Sequence, residues 1–369
     1  MKILRIITTA ILLSFSFSLY PCISAIVSGK VTKSGRPLLW KHRDTGEENN
    51  KVEYIAAVDG RMAYVALFNA SDKQNKEAWM GMNSCGFAIM NTASYNLKDD
   101  NVKEMDKEGL IMAEALGVCK SVDDFEKFII NHKKPLGVEA NFGVIDASGN
   151  GAYFETNNRN FKRYNLSESE SGVLVRANYS HSGRKDEGYG YIREKNAESL
   201  LSKHISYKNI EPATFTEELS RTFYHSLNDR DYSYSADEWL VDQDFIPRKS
   251  STASCVIEGI LPGEKPNLTV MWIGIGYPPC SEIRTVFMEE NGVPSELRGL
   301  GKDGHSELCD AAVKMKHQVF SIKRGNGEKY LNLRKLYNKY GTGYSQILMK
   351  KNAEYYDRMK SILKEKRSK

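Results

Sequence analysis

The segment CISAIVSGKVTKSGRPLLWKHRDT, residues 22–45, reads as a β-hairpin with reactive groups at both of its free ends. Residues 23–28 alternate β-branched and small side chains, the period-two pattern of a strand. Gly29 to Gly35 supplies the turn, and Leu38–Trp40 is the returning strand. Asp44 comes just after it, so the return brings a carboxylate back beside Cys22. If Cys22 were a chain terminus, its α-amine, ordinarily near pKa 7.7–8.0, would be a base at neutral pH. The thiol, near 8.5 unperturbed, would give up its proton readily to that neighbour. Asp44 would hold and orient the amine, and one residue would supply both nucleophile and base.

What precedes Cys22 fits this. Lys2 and Arg5 open the chain, and a mostly apolar run follows from Ile6 to Tyr20. A short basic start, an apolar centre and small residues near its end describe a secretory signal peptide. The run is shorter than the roughly 20 residues of a membrane span. The protein is therefore expected to be exported, to the periplasm or the extracellular space. Ser16 and Ser18 stand at a spacing that places export cleavage before Leu19. Pro21 at the next bond suits a signal peptidase poorly, so a second cut at Pro21–Cys22 is expected. Cys22 has two other readings. A lipid anchor wants a small residue before the cysteine, where this chain has Pro21, with only Leu19 matching further back. A disulfide half is also open, because six cysteines are present. None of the six forms a CxxC pair, which removes zinc-ribbon and thioredoxin readings.

Composition narrows the class. In 369 residues, 41% apolar and 10% aromatic side chains are enough for a sizeable core. The net charge of +5 arises in the last 21 residues, so no global basic field for nucleic acid is expected. There is no P-loop, Gly274 and Gly276 run into Pro278, and neither HExxH nor GxSxG occurs. His42 near Asp44 is an isolated metal hint. No cofactor and no metal are expected.

The rest of the chain alternates strand pairs with helix pairs. Apolar spacing over Gly109–Lys133 gives two helices, with Ser121 able to cap the second. Residues 141–146 with 151–156, and 252–260 with 268–276, read as hairpins. Glu307–Ile322 and Tyr344–Leu363 read as helices, the latter with Tyr344, Ile347, Leu348, Tyr355, Met359, Ile362 and Leu363 on one face. This last helix either docks on its own domain or, being basic at its end, lies on an anionic membrane. Asn228–Asp244, rich in Tyr, Asp and Ser, is either a surface loop or a flap over the site. Periodicity by itself assigns the class α+β.

The run from Cys22 to Thr45 resembles the start of the N-terminal-nucleophile cysteine hydrolases, and within them the isopenicillin N acyltransferase-like peptidases, relatives of choloylglycine hydrolase and penicillin V acylase. The likeness continues at GMNSCGFAIMNTAS (81–94), NFGVIDASGNGAYFET (141–156), VLVRANYSHS (173–182) and SSTASCVIEGILPGEKPNLTVMWIGIGYPPC (250–280). The resemblance implies a four-layer αββα sandwich of two antiparallel sheets faced by helices, with a helical C-terminal extension. It divides the chain into residues 1–21 removed, 22–300 the hydrolase domain, and 301–369 the extension packed on it. It implies self-activation by Cys22 and no cofactor. Asn91 matches the asparagine of the oxyanion hole, where losing one donor costs about 2.7–4 kcal/mol of barrier; its bland reading is a turn cap. Asn178 matches a second asparagine near the nucleophile and otherwise reads as a strand-end turn residue. Arg193 falls where relatives carry an arginine, although most helical arginines are solvent-exposed. Choloylglycine hydrolases place an arginine three residues before the aspartate. Here that position is Lys41, with Arg43 beside Asp44; both are candidate substrate-binding residues. Lysine lacks the planar fork, which argues against assuming bile-salt specificity.

The expected activity is hydrolysis or acyl transfer at linear C–N amide bonds of a small N-acyl amide or short peptide, through a thioester on Cys22. A choloylglycine hydrolase or penicillin acylase type of amidase is the narrower rival, and a non-catalytic surface lipoprotein anchored at Cys22 the rival from another class. A homo-oligomer is left open.

Overall fold

The computed structural model describes residues 22–234 and 238–368. The leader and its two expected cleavage sites lie outside the described residues. β1 (Ile23–Val27) and β2 (Leu38–Asp44) form the expected hairpin, with Ile23 opposite His42 and Val27 opposite Leu38. β2 runs four residues beyond the expected Trp40. β2 lies between β1 and a later strand, so the ladder continues through Asp44 and all seven of its residues are buried.

The chain continues through β3 (Asn50–Ile55), β4 (Tyr64–Asn69), β5 (Met80–Asn83) and β6 (Ala88–Ala93). Then come α1 (Glu108–Val118) and α2 (Val122–Asn131), the latter capped by Ser121, whose Oγ accepts from Asp124 N at 3.1 Å. β7 (Ala140–Ile145), β8 (Gly151–Thr156), β9 (Phe161–Asn165) and β10 (Val173–Arg176) lead to α3 (Tyr191–Tyr207) and a π-helix (Thr214–Leu219). Three two-residue strands follow, β11 (Tyr224–His225), β12 (Arg230–Asp231) and β13 (Trp239–Leu240), then β14 (Ser251–Glu258), β15 (Val270–Ile275) and β16 (Ile283–Phe287). The chain closes with α4 (Glu307–Val319), β17 (Leu331–Asn332), α5 (Leu333–Leu336) and α6 (Tyr344–Ser368).

Two antiparallel sheets result. One has the order β10-β1-β2-β14-β15-β16, the other β3 to β9 in sequence. Strand alternation divides the apolar residues into layers. Ile26, Leu39, Val65, Met82, Met90, Cys255 and Ile273 meet between the sheets. Phe68, Phe87, Phe142 and Phe154 project the other way and are covered by Met112, Leu116 and Phe125 of α1 and α2. Ile23, Ala25, Trp40 and Val256 are covered by α3, the π-helix and α6. The fold is an α+β, αββα sandwich.

α6 lies on the outer face of the first sheet through Tyr356, Met359 and Leu363, and Trp272 stacks on Tyr356 at 4.6 Å. Its buried face is turned slightly from the expected one, so Ile347 and Ile362 stay exposed. Asn352 accounts for the turn, accepting from Ile283 N and donating to Glu217 Oε1, both at 3.0 Å. α4 sends Cys309 and Val313 into the inter-sheet core. No helix among the described residues is long and apolar enough to cross a membrane. In the 228–244 stretch, β12 pairs with β11 and β13 with β17.

Candidate active site

The hairpin places its polar residues by strand alternation. On β2, Lys41 and Arg43 share the inter-sheet face of Leu39, while His42 and Asp44 share the outer face of Trp40. Cys22 sits at the head of β1, 7% exposed. Its sulfur rests against the backbone of Asp44, 3.4 Å from the amide nitrogen and 3.6 Å from the carbonyl oxygen. All six cysteines are free thiols, so Cys22 is no disulfide half here.

The Asp44 carboxylate is the hub on the outer side. Arg248 Nη2 is 2.6 Å from its Oδ2, and Ser251 Oγ donates to its Oδ1 at 2.6 Å. Arg193 Nη1 lies 3.9 Å from Oδ2 and donates to the Cys22 carbonyl at 2.9 Å. Arg193 thus ties residue 22 to residue 44. The exposed helical arginine of the bland reading is not what is found; Arg193 is 1% exposed. Gly190, at φ +89°, explains how it fits, because a Cβ there would stand 2.3 Å from Arg193 Nη2.

Asn178 is brought to the same cluster, and both ends of its amide are bonded. Oδ1 accepts from Arg193 Nη2 at 2.9 Å and Nδ2 donates to Ala93 O at 2.8 Å. It brackets α3 to the end of β6, with one Nδ2 hydrogen remaining beyond the bond to Ala93 O. Glu194 braces the same loop, accepting from Ala177 N, Tyr179 OH and His181 Nε2.

Asn91, on β6 of the opposite sheet, is held differently. Lys41 Nζ donates to its Oδ1 at 2.6 Å and to Trp79 O at 2.9 Å. An ammonium has no acceptor, so the amide must turn its oxygen to Lys41 and its Nδ2 away as a donor. Arg43 donates to Asn50 Oδ1 and, at 2.8 Å, to Asn69 Oδ1, with its guanidinium 4.9 Å from the Trp79 ring centre. Lys41 and Arg43 are 2% and 3% exposed and have neutral partners. As candidate substrate contacts they form a buried wall rather than an open rim.

Burial lowers the pKa of Lys41 to about 8, partly countered by the neighbouring Cys22. It lowers Arg43 to about 10 and, helped by Arg248, Arg193 to about 9. Arg248 goes the other way: burial pulls it down, but the Asp44 charge and hydrogen bond outweigh that and hold it raised. Negative charge on Cys22 favours the charged form of all four. Three buried cations and the partly buried Arg248 against one carboxylate make a site suited to developing negative charge. On the same side as Lys41, burial pushes Glu108 up to about 7.

His42, the isolated metal hint of the sequence, joins no metal cluster; among the described residues no three His, Cys, Asp or Glu side chains converge on a metal position. It contacts Ser220 Oγ and Ser251 Oγ instead. Arg248, Ser251 and Trp79 were missed by sequence reasoning. For Ser251 the signal was available, since it opens the strand that pairs with β2 opposite Asp44. A cavity of about 480 Å³ lined by Arg36, Glu258, Trp272, Tyr356 and Arg367 lies at the other end of β14 and shares no residue with this cluster.

No protein-family model and no curated protein matches the chain. Among solved structures it is similar to a variant of the conjugated bile acid hydrolase from Clostridium perfringens, at 12% identity and TM-score 0.44, covering 73% of this chain and 95% of that one. It is also similar to the Caenorhabditis elegans ortholog of N-acylethanolamine-hydrolyzing acid amidase, at 11% and 0.42, covering 66% and 93%. A third is penicillin V acylase from Agrobacterium tumefaciens, at 12% and 0.39, covering 72% and 86%.

Proposed function

We propose that the chain is an exported amidohydrolase of the N-terminal-nucleophile type, cleaving linear C–N amide bonds through a thioester on Cys22. The observation that carries this reading is the bridge made by Arg193 between the Cys22 carbonyl and the Asp44 carboxylate. That bridge sets residue 22's backbone, rather than its sulfur alone, beside the acid, as an α-amine base requires.

In the mature form, after the cut at Pro21–Cys22, the α-amine accepts the thiol proton and the sulfur attacks the amide carbon. The carbonyl oxygen takes the negative charge and receives a hydrogen bond from Asn91 Nδ2 and one from a backbone N–H. The α-ammonium returns its proton to the leaving nitrogen, the C–N bond breaks and an acyl thioester remains. Water, or a second amine in acyl transfer, adds to the thioester with the α-amine again accepting the proton, and the sulfur leaves. Lys41 holds Asn91, and the four cations favour each anionic stage. The substrate class is a small N-acyl amide or short peptide. Residues 22–300 form the hydrolase domain, with 301–369 packed on it.

The lipoprotein alternative needs a diacylglyceryl group on Cys22, a residue only 7% exposed, which suits it poorly. The test is a hydrolysis panel of N-acyl amino acids, β-lactam side-chain amides and conjugated bile salts with wild type and Cys22→Ala. The expected result is turnover of at least one class by the wild type only. Turnover retained by Cys22→Ala ends the reading.

A further inference from the structure

The hydroxyl of Ser251 has one proton, and Asp44 takes it: Oγ donates to Asp44 Oδ1 at 2.6 Å. Toward its other neighbours the oxygen is therefore an acceptor. One of these is the backbone N–H of Arg248 at 2.9 Å, and the other is His42 Nε2 at 2.8 Å. His42 must then carry its hydrogen on Nε2. The ring is wholly buried, and burial lowers its pKa to about 4, so near neutral pH it holds a single proton. Nδ1 then carries no hydrogen and lies 3.1 Å from Ser220 Oγ, at the C-terminal end of the π-helix; that hydroxyl's own proton goes to Ser254 Oγ at 2.7 Å. The tautomer is set from the Ser251 side. The charged groups around the ring are Asp44 on its own strand, Arg193 from α3 and Arg248 from the segment before β14.

We infer that His42 is a positioning residue, which through Ser251 fixes the Asp44 carboxylate in the orientation that receives the Cys22 amino group. The inference rests on the reading of Cys22 given above. His42 touches neither the sulfur nor any reacting atom. Its Nε2–H keeps the Ser251 proton directed at Oδ1, while Arg248 holds Oδ2. Without that N–H the hydroxyl is released to turn, and the carboxylate keeps only its arginine side. The conservation of shape between histidine and glutamine gives the control, since a glutamine Nε2 donates from nearly the same place.

The test is the alkylation rate of Cys22 by iodoacetamide, read by peptide mass across pH 5 to 9 on the full chain processed to begin at Cys22. It compares wild type, His42→Gln, His42→Phe and Ser251→Ala, with thermal melts to show each is folded. A misplaced catalytic partner can cost about 10²-fold in rate. The expected result is Cys22 alkylation slowed at least tenfold at pH 7 in His42→Phe and Ser251→Ala, with profiles displaced to higher pH, and within threefold of wild type in His42→Gln. Folded His42→Phe with an unchanged rate and profile overturns the inference, as does a loss in His42→Gln equal to that in His42→Phe. Wild-type Cys22 reacting no faster than the other five thiols overturns the nucleophile reading itself, a separate outcome.

Discussion

Lys41→Met separates the stability of the site from its chemistry. Lys41 is a buried ammonium whose pKa falls from 10.5 to about 8. Charging it in the fold rather than in the unfolded chain therefore costs about 3 kcal/mol. The folded pKa lies below the unfolded one, so the penalty is full below pH 8 and fades as pH rises toward 10.5. Methionine removes the penalty but leaves Trp79 O and Asn91 Oδ1 without their donor, at about 1–3 kcal/mol each if nothing replaces it. These opposing effects nearly cancel at pH 7, where the stability change should stay within about 2 kcal/mol. Catalysis has no such compensation. With Oδ1 no longer held, the Asn91 amide can turn, and kcat should fall toward the roughly 10²–10³-fold loss of a missing oxyanion donor. Denaturant unfolding of both proteins from pH 7 to 10.5, with kcat on the best panel substrate, reads both effects. Relative to the variant, wild type should gain about 3 kcal/mol between pH 8 and 10.5. Parallel stability curves, or a variant with wild-type kcat, would refute the reasoning.

Asn91→Ala should lower kcat by about 10²–10³-fold and stability by about 1–3 kcal/mol, since the buried Lys41 ammonium loses an acceptor; steady-state kinetics beside calorimetry checks it. Gly190→Ala should lose activity, because its Cβ displaces Arg193, whereas Gly60→Ala, at φ +77° with open space around it, should cost only the backbone strain of about 1–2 kcal/mol and no activity. His42 has a folded pKa of about 4, below its unfolded 6.5, so its contribution is intact above pH 6.5 and lost as pH falls through 4, by about 3 kcal/mol. Glu108, raised to about 7, contributes in the opposite sense, so the difference between wild type and His42→Phe across pH 4 to 7 isolates the histidine.

The hairpin of residues 22–44 was legible because a period-two pattern and two glycines mark it, and so were α1, α2 and the Ser121 cap. The length of β2 was not. Lysine, histidine, arginine and aspartate in sequence look solvated, and only the pairing with β14 shows that they are central and buried. The same limit applies to the site. Cys22 and Asp44 announce themselves by their places at the ends of one hairpin. Asn91 and Arg193 needed the family resemblance, and Arg248 carried no local signal, being joined to Asp44 across 204 residues of chain. The Asn178 position was legible but its part in the cluster was not, since only its hydrogen bonds show the amide linking Arg193 to Ala93.

The most direct measurement is mass analysis of the mature protein after brief incubation with an intact N-acyl amide that it turns over, followed by an acid quench. The account predicts a chain beginning at Cys22 that carries one acyl group on that residue, labile to hydroxylamine. A chain bearing a diacylglyceryl group at Cys22, or an acyl adduct on any other residue, would contradict it.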